Sequence, residues 1–247
     1  MRGKKMSVLE AIRKIRAVGT LWLPEQSLGH LETLRLAELN RVVAKMPPAC
    51  RVLEIGAGSG WQARELARRG FDVQAIDIPA SNYYADRVWD VMLYDGAHIP
   101  FRDASFDVVF SSNVLEHIPH VVSFQSEIHR VLKPSGLAIH VVPSASWRFW
   151  TILTHLLRYW TFPGPHGEHA ANAIAEIQLF RRAYWEDLFS RAGWDVIDAC
   201  STGIFYTGSS VLDARCSIKQ RQCMSGWLGS ACHLFVLREK SIENIEN

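Results

Sequence analysis

A short apolar segment that ends in a glycine-rich turn carries the clearest chemical signal in the sequence. The segment Val52–Ile55 includes one acid, Glu54, and leads into Gly56, Gly58 and Gly60. Glycines at alternate positions let the backbone adopt positive φ angles and let a ligand approach the main chain closely. A turn of this kind between a strand and a helix places the ligand at the carboxyl edge of a sheet, beside the helix N-terminus. The spacing therefore predicts a nucleotide-like ligand at this turn.

Three histidines supply candidate proton acceptors further along the chain. His117 follows a predicted strand, while His166 and His169 lie three residues apart with Glu168 between them. Imidazole titrates near neutral pH, so each histidine is a candidate general base toward a hydroxyl group. A helix cap explains His117 equally well, and a solvated turn explains the other two. No cysteine or aspartate at metal-ligand spacing accompanies the pair, so the sequence predicts no metal site.

Two frames of the glycine turn predict different ligands. The dinucleotide fingerprint G-x-G-x-x-G/A can be placed over Gly58 to Ala63, with Asp77 about 20 residues on as the ribose acid. The frame that begins at Gly56, directly after the strand, has the bulky Trp61 at the sixth position, where a dinucleotide turn requires a small residue. A structural turn that binds no ligand is the third alternative.

In the frame that begins at Gly56, the turn resembles motif I of the class I S-adenosylmethionine (AdoMet)-dependent methyltransferases, which is an acid and an apolar residue followed by Gly-x-Gly-x-Gly. Further segments resemble the later motifs of that family in the same order: Asp72–Ile78, Asp95–Phe101, Ser105–Phe110, Ser111–Ile118 and Glu127–Gly136. The matches extend from Arg51 to Pro143 and are nearest to the small-molecule branch of the class, the methyltransferase domain 11 type. This agreement favours AdoMet over a nicotinamide cofactor.

The resemblance implies a set of residues around AdoMet or its demethylated product, S-adenosylhomocysteine. The expected set is Glu54, Gly56, Ala57, Gly58, Gly60, Asp77, Ile78, Asp95, Gly96, Ala97 and Asn113. Within it, Glu54 is expected to anchor the cofactor loop and Asp77 to accept hydrogen bonds from the ribose hydroxyls. Asp95 is expected to accept from the adenine amino group, and Asn113 to lie near the methionine end. For each of these residues, a cap or turn role is the alternative.

Alternating strands and helices predict the scaffold that positions these residues. The predicted strands lie at 51–56, 72–78, 91–95, 106–112, 137–142, 194–200 and 231–238. The predicted helices lie at 7–18, 31–45, 60–69, about 81–87, 120–132 and 184–192. Strand–helix alternation indicates an α/β fold with a parallel sheet and helices on both faces. The resemblance implies a Rossmann-like, seven-stranded, mostly parallel sheet whose last strand is antiparallel.

The 247 residues suit a single domain. Within it we expect N-terminal helices at 1–48, a cofactor-binding core at 49–143, a helical cap insertion at 144–179, and the rest of the core at 180–247 with a second insertion at 201–230. The cap carries an apolar stripe at helical spacing that can serve the core, a ligand or both: Phe149, Leu153, Leu156 and Trp160. Because ligand-facing loops gather at the carboxyl edge of such sheets, we expect this insertion to cover an acceptor pocket.

Composition and motifs limit the kinds of binding partner that the sequence predicts. A net charge of +2 is close to neutral. It gives no reason to expect a nucleic acid partner, because proteins that bind nucleic acid usually carry a basic stripe. The Asn/Asp-Pro-Pro-Tyr/Phe signature of amino-directed nucleic acid methyltransferases is also absent at Ser111–Val114. No apolar run reaches the roughly 20 residues of a membrane span, although the basic helix at 7–18 could associate weakly with a membrane surface. Five cysteines without a C-x-x-C pair, and no secretory signal after Lys4 and Lys5, favour a cytoplasmic location.

Three functions remain open from the sequence. The first is AdoMet-dependent methyl transfer to a small-molecule, sugar-like or carrier-borne acceptor. The second is NAD(P)-dependent oxidoreduction, and the third is a non-catalytic AdoMet-binding partner subunit. The sequence does not specify the acceptor, the atom that is methylated or the oligomeric state.

Overall fold

Seven strands form one sheet in the computed structural model, which describes residues 28–81, 84–208 and 215–240. The strands are β1 (Arg51–Ile55), β2 (Asp72–Asp77), β3 (Met92–Leu93), β4 (Phe106–Ser112), β5 (Leu132–Pro143), β6 (Trp194–Ser201) and β7 (Cys232–Glu239). Their order across the sheet is β3-β2-β1-β4-β5-β7-β6. The first five strands run parallel, and β7 lies antiparallel between β5 and β6. This arrangement confirms the predicted Rossmann-like sheet with its antiparallel last strand.

Seven α-helices accompany the sheet within the described residues. They are α1 (Leu28–Val43), α2 (Trp61–Arg68), α3 (Val121–Val131), α4 (Ala145–Tyr159), α5 (Ala173–Leu179), α6 (Arg182–Arg191) and α7 (Ile218–Leu228). The basic helix expected at 7–18 lies outside the described residues. None of the described helices combines the length and the apolar character that a membrane crossing requires.

Two apolar clusters cover the two faces of the sheet. Successive side chains of a strand point to opposite faces, and accordingly Val52 and Leu53 of β1 belong to different clusters. Leu39 of α1 packs in the first cluster, and Phe124 of α3 packs in the second. Because both faces of β1 are buried, this strand appears in the sequence as a nearly continuous apolar run, as is typical of a parallel sheet.

Two predicted elements are shorter than the sequence pattern suggested. The strand expected at 91–95 reduces to β3, an edge strand whose Met92 and Leu93 are 45% and 42% exposed. The helix expected at about 81–87 reduces, among the residues that are described there, to a single 3-10 turn at Tyr84–Asp86. Both lie at the edge of the sheet, where few tertiary contacts support a regular element.

Residues 144–179 form a helical insertion, as predicted, with two helices whose buried residues differ from the apolar stripe. Ser144 caps α4 by accepting from the Trp147 backbone N–H, and Asn172 caps α5 in the same way. Trp147, Arg148, Thr151 and Ile152 are the buried residues of α4. Phe149, Leu153 and Trp160 are 49%, 36% and 43% exposed. The stripe is therefore a surface of the insertion and does not belong to the sheet core.

Candidate active site

The predicted cofactor residues come together at one edge of the sheet. The glycine turn follows β1, Asp77 ends β2, and Asp95 and Asn113 come directly after β3 and β4. The carboxyl ends of parallel strands meet at a single edge, which is where doubly wound sheets bind their ligands. The strand order, with β1 between β2 and β4, places the glycine turn at the centre of this group.

The glycine turn combines positive φ angles with close packing, which strongly favours glycine. Gly56, Gly58 and Gly60 have φ angles of +69°, +57° and +74°. A Cβ atom at Gly56 would lie 2.4 Å from Cγ2 of Val114, and one at Gly60 would lie 2.6 Å from Cβ of Trp89. Both the backbone conformation and the close packing therefore favour glycine. The turn is fixed by the protein itself.

Asp77 ties the end of β2 to the glycine turn. Its Oδ2 accepts from the Gly58 backbone N–H at 2.9 Å, and its Oδ1 accepts from the Ile78 N–H at 2.8 Å. The backbone N–H groups of Gly56 and Ala57 both donate to the Ile76 carbonyl. A carboxylate oxygen can accept more than one hydrogen bond. Asp77 can therefore hold the turn and still accept from two ribose hydroxyls.

Glu54 places a buried carboxyl group directly before the turn. It is 2% exposed, and burial raises its pKa to about 8; the Ala63 backbone N–H opposes this shift, and the charge of Asp77 adds to it. Its Oε2 atom has no hydrogen-bond partner among the described residues. An unpaired buried acceptor is costly, and a ligand N–H group would satisfy it. This orphaned atom fits the amino group of AdoMet.

Asp95 forms a turn of its own beside Ile78. Its Oδ1 accepts from the backbone N–H groups of His98 and Ala97 at 2.7 and 2.8 Å, and these bonds lower its pKa to about 2. Gly96 has a φ of +83°, and a Cβ atom there would lie 3.3 Å from the Ile78 side chain. Ile78, Gly96 and Ala97 therefore lie side by side at the end of β2 and β3. The contact of Asp95 with adenine stays a prediction.

Asn113 links the predicted cofactor residues to a chain of polar contacts inside the protein. It has a φ of +56°, and its backbone N–H donates to the Val141 carbonyl at 2.8 Å. Cys232 Sγ lies 3.6 Å from the Asn113 side-chain oxygen and 3.1 Å from the Tyr206 hydroxyl. Tyr206 in turn donates to Glu38 of α1 at 3.0 Å. The sequence did not predict this chain of contacts, since its members lie on α1, β4, β7 and the second insertion.

Three side chains with metal-binding or acid–base capacity meet just beyond Asn113. The Nε2 atoms of His117 and His166 each lie 3.9 Å from Oε1 of Glu116. The two imidazole rings are 4.8 Å apart, and the Trp147 ring lies 4.8 Å from His166. The ligating atoms of Glu116, His117 and His166 all lie within 4.8 Å of one another. The sequence predicted no metal site because Glu116 did not stand out and the partner of His117 is 49 residues away.

Burial sets the charge states of this cluster. Glu116 is fully buried, and burial raises its pKa to about 8; its own backbone N–H and the charge of Arg35 oppose the shift. Neither carboxyl oxygen has a hydrogen-bond partner in the described part of the chain. Burial lowers the pKa of His117, and it lowers that of His166 to about 4. Both imidazoles are therefore neutral at pH 7.

A buried ion pair holds the histidine loop in place. Arg148 Nε of α4 lies 2.6 Å from Glu176 Oε2 of α5, and both side chains are at most 3% exposed. The other oxygen of Glu176 accepts from the His166 and Gly167 backbone N–H groups at 2.6 and 2.7 Å. The sequence missed both members of the pair because they lie 28 residues apart.

His169 lies apart from the cluster. With Glu116, Glu176 and Trp185 it lines a cavity of about 10 Å³. This volume is about that of one water molecule. The sequence grouped His166 with His169, whereas the structure places His166 against His117.

Comparison with known proteins identifies the family. A family model described as a methyltransferase domain matches residues 28–199. A protein named as an uncharacterized methyltransferase from Mycobacterium sp. (strain KMS) is 30% identical over 139 residues, covering 54% of this chain and 48% of that protein. A 2-methyl-6-phytyl-1,4-hydroquinone methyltransferase from Synechocystis sp. is 30% identical over 138 residues, covering 48% of this chain and 42% of that protein. The chain thus spans about half the length of the curated relatives it matches.

Solved structures show the same fold. An AdoMet-dependent methyltransferase from Aquifex aeolicus is similar with a TM-score of 0.53 at 13% identity, covering 92% of this chain and 97% of that one. Another from Mesorhizobium loti has a TM-score of 0.55 at 15% identity, covering 82% and 98%. The family match covers more than half of the chain, and the glycine turn, Asp77 and the orphaned Glu54 oxygen fit the same cofactor. The chain therefore belongs to the class I AdoMet-dependent methyltransferases.

Proposed function

We propose that the protein transfers the methyl group of AdoMet to a hydroxyl group of a small-molecule, sugar-like or carrier-borne acceptor. The observation that carries this proposal is the position of Asn113 and Val114. These two residues join the strand that ends beside the glycine turn to the turn that bears His117. The same short segment thus connects a cofactor site to a pair of neutral imidazoles. The match to the methyltransferase family favours this function over NAD(P)-dependent oxidoreduction.

AdoMet supplies an activated methyl group on a sulfonium, so the protein mainly has to hold donor and acceptor in line. Glu54 and Asp77 hold the amino and ribose groups, and Ile78, Gly96 and Ala97 flank the adenine. A hydroxyl acceptor must also lose its proton. His117 or His166 takes that proton, because the lowered pKa of each imidazole favours the neutral form that can accept it.

The exposed apolar face of α4 supports an acceptor that is at least partly apolar. Phe149, Leu153 and Trp160 are exposed on the insertion that also carries His166. Two relatives are named for such molecules: the Synechocystis sp. protein for a phytyl hydroquinone, and a Gibberella zeae protein, 32% identical over 101 residues, for a sterol. This exposed face is a candidate contact surface for an apolar acceptor, whereas Trp147, on the buried side of α4, lies 4.8 Å from His166.

Calorimetry with S-adenosylhomocysteine tests the cofactor site. Asp77→Ala should weaken binding by about 1.5 to 3 kcal/mol, the usual loss of hydrogen bonds to a charged group. Asp72→Ala is the matched control, since Asp72 starts the same strand and its side chain is 63% exposed. Equal affinity in Asp77→Ala and wild type would remove Asp77 from the site. Binding of NAD in place of S-adenosylhomocysteine would overturn the proposed function.

Kinetics across a panel of hydroxyl acceptors tests the base. Replacing the true base by Gln should lower turnover by about a hundredfold to ten-thousandfold and leave cofactor affinity unchanged. The variants are His117→Gln, His166→Gln and His169→Gln. The pH–rate profile of the affected variant should lose its acid limb. Turnover within about threefold of wild type in all three variants would exclude a histidine base.

A further inference from the structure

We propose that Glu116, His117 and His166 bind a divalent transition-metal ion at the acceptor side of the site. Two imidazoles and one carboxylate are a common ligand set for such ions. Mg²⁺ and Ca²⁺ prefer ligand sets made of oxygen alone. The chemistry of these three side chains thus favours ions such as Zn²⁺, Fe²⁺ or Co²⁺.

The distances require small adjustments. Ligand atoms bonded to one tetrahedral ion at about 2.0 to 2.2 Å lie about 3.3 to 3.6 Å apart. The three ligating atoms here lie within 4.8 Å of one another, and both imidazole nitrogens approach the same oxygen of Glu116. The His117 and His166 side chains are 41% and 36% exposed, so their rings have room to turn toward the ion. Shifts of under an ångström complete the site.

The Glu116 carboxyl group is the strongest sign of a ligand. It is fully buried, and neither oxygen is hydrogen-bonded within the part of the chain that the structure describes. Burying an acid without a partner costs several kcal/mol, so a buried carboxylate is normally paired or bound to a metal. The Nε2 atoms of His117 and His166 each lie 3.9 Å from its Oε1 atom. A cation between the three side chains would provide the Glu116 oxygens with a partner.

The surrounding charges permit a cation. Arg148 is paired with Glu176 at 2.6 Å, and Arg35 is paired with Glu38 at 2.7 Å, so a partner carboxylate offsets part of the charge of each nearby guanidinium group. The carboxylate of Glu168 also acts on His117 and has the sign that attracts a cation.

Contacts of its own loop hold His166, one of the proposed ligands, in position before an ion binds. Glu176 fixes the His166 backbone, and the Glu168 backbone N–H donates to the Glu116 carbonyl at 2.9 Å. Between these two bonds, a Cβ atom at Gly167 would lie 2.5 Å from the Glu116 carbonyl oxygen. Glycine therefore lets the loop approach this closely. Such outer contacts orient metal ligands in known sites.

An ion at this site has a consequence for methyl transfer, and that consequence rests on the proposed function. Three protein ligands leave coordination positions open for an acceptor oxygen. A bound ion lowers the pKa of a hydroxyl group, so the proton can leave to solvent before the oxygen attacks the methyl carbon and the carbon–sulfur bond breaks. In the ion-bound protein the two histidines are ligands, and the ion replaces the histidine base.

Direct binding of metal to chelator-treated protein tests the site. Calorimetry with Zn²⁺, and visible absorption with Co²⁺, should show one ion per chain. Glu116→Gln, His117→Gln and His166→Gln should each weaken binding by about a hundredfold or more, since each removes one of three ligands. His120→Gln is the matched control because His120 is exposed and lies three residues from His117. It should bind the ion as wild type does.

Two further measurements separate the possible failures. Circular dichroism shows whether each variant folds; if Glu116→Gln does not, the exposed His117→Gln decides the outcome. Affinity for S-adenosylhomocysteine in the metal-free protein tests the proposed function alone. Absence of stoichiometric binding, or binding that all three ligand variants retain, would overturn the metal site and leave the cofactor site unaffected.

Discussion

The proposed cofactor side of the site is built mainly from backbone, whereas the proposed acceptor side is built from side chains. Around Gly56 to Gly60, main-chain N–H groups, positive φ angles and one aspartate set the shape. Around His166, the position depends on the buried pair Arg148–Glu176 and on contact with Glu116. The first arrangement involves neighbouring strands, and the second joins residues from 116 to 176.

The two sides nevertheless share one structural feature, a buried glutamate. Each contains a buried glutamate with an unpaired oxygen, Glu54 on the cofactor side and Glu116 on the acceptor side. Burial raises the pKa of each to about 8. The Ala63 backbone N–H stabilises the charged form of Glu54, whereas Glu116 lies near two imidazoles. The difference suggests a ligand amine for the first and a cation for the second.

Breaking the Arg148–Glu176 pair should give the largest effect. Glu176→Gln leaves Arg148 buried without an opposing charge, and such a loss costs about 3 to 5 kcal/mol of folding free energy. Denaturant unfolding measures it, with Glu186→Gln as the control because its pair with Arg182 is exposed. If the two sides are independent, affinity for S-adenosylhomocysteine in the folded variant should not change. A cost below about 1 kcal/mol, as in an exposed pair, would contradict the role of this ion pair.

A Cβ atom in the glycine turn should have the next largest effect. Gly56→Ala combines strain at a positive φ with a clash against Val114, about 2 to 4 kcal/mol together. Gly70→Ala has a similar φ of +90° and no heavy atom within 4 Å, so it reports the strain alone. Thermal unfolding and calorimetry with S-adenosylhomocysteine compare the two. Equal losses of stability would show that the contact with Val114 is unimportant.

The pH dependence of stability should reveal Glu54. Its folded pKa of about 8 lies above the ordinary value of 4.5, so the folded state holds the proton more tightly than the unfolded state does. Its contribution to stability is therefore complete below pH 4.5 and is lost as pH rises toward 8, by up to about 1.4 kcal/mol per pH unit. Glu54→Gln should remove this slope from unfolding curves measured between pH 5 and 8. An unchanged slope would mean that Glu54 is already ionised in the folded protein.

The exposed face of α4 should give the smallest effect on stability. Leu153→Ser changes a side chain that is 36% exposed, so folding free energy should stay within about 0.5 kcal/mol of wild type. If this face lines the acceptor pocket, KM for an apolar acceptor should rise while cofactor affinity is unchanged. Val122→Ser on α3, at 46% exposure, is the control. An unchanged KM would separate this face from the acceptor.

The fold could be predicted from the sequence because it depends on patterns among residues that are close together in the chain. Alternating apolar strands and the Gly56–Gly60 turn each depend on a few neighbouring residues. Predictions were less accurate where contacts between distant parts of the chain determine the local structure. β3 is shorter than predicted because it lies at the sheet edge, and the α4 stripe is exposed because Arg148 and Thr151 lie on the buried face.

The sequence by itself determined the α/β fold with its parallel strands, the glycine turn and the strand-end acids, since strand period and glycine conformation are properties of short segments; the seven-stranded order came from the family resemblance. Tertiary structure alone decided which histidines meet. His117 lies against His166 because the Glu176 carboxylate binds the backbone of the His166 loop, and because Gly167 lets that loop reach the Glu116 carbonyl. Contacts between residues about 50 positions apart depend on how the chain packs, and no local pattern records them.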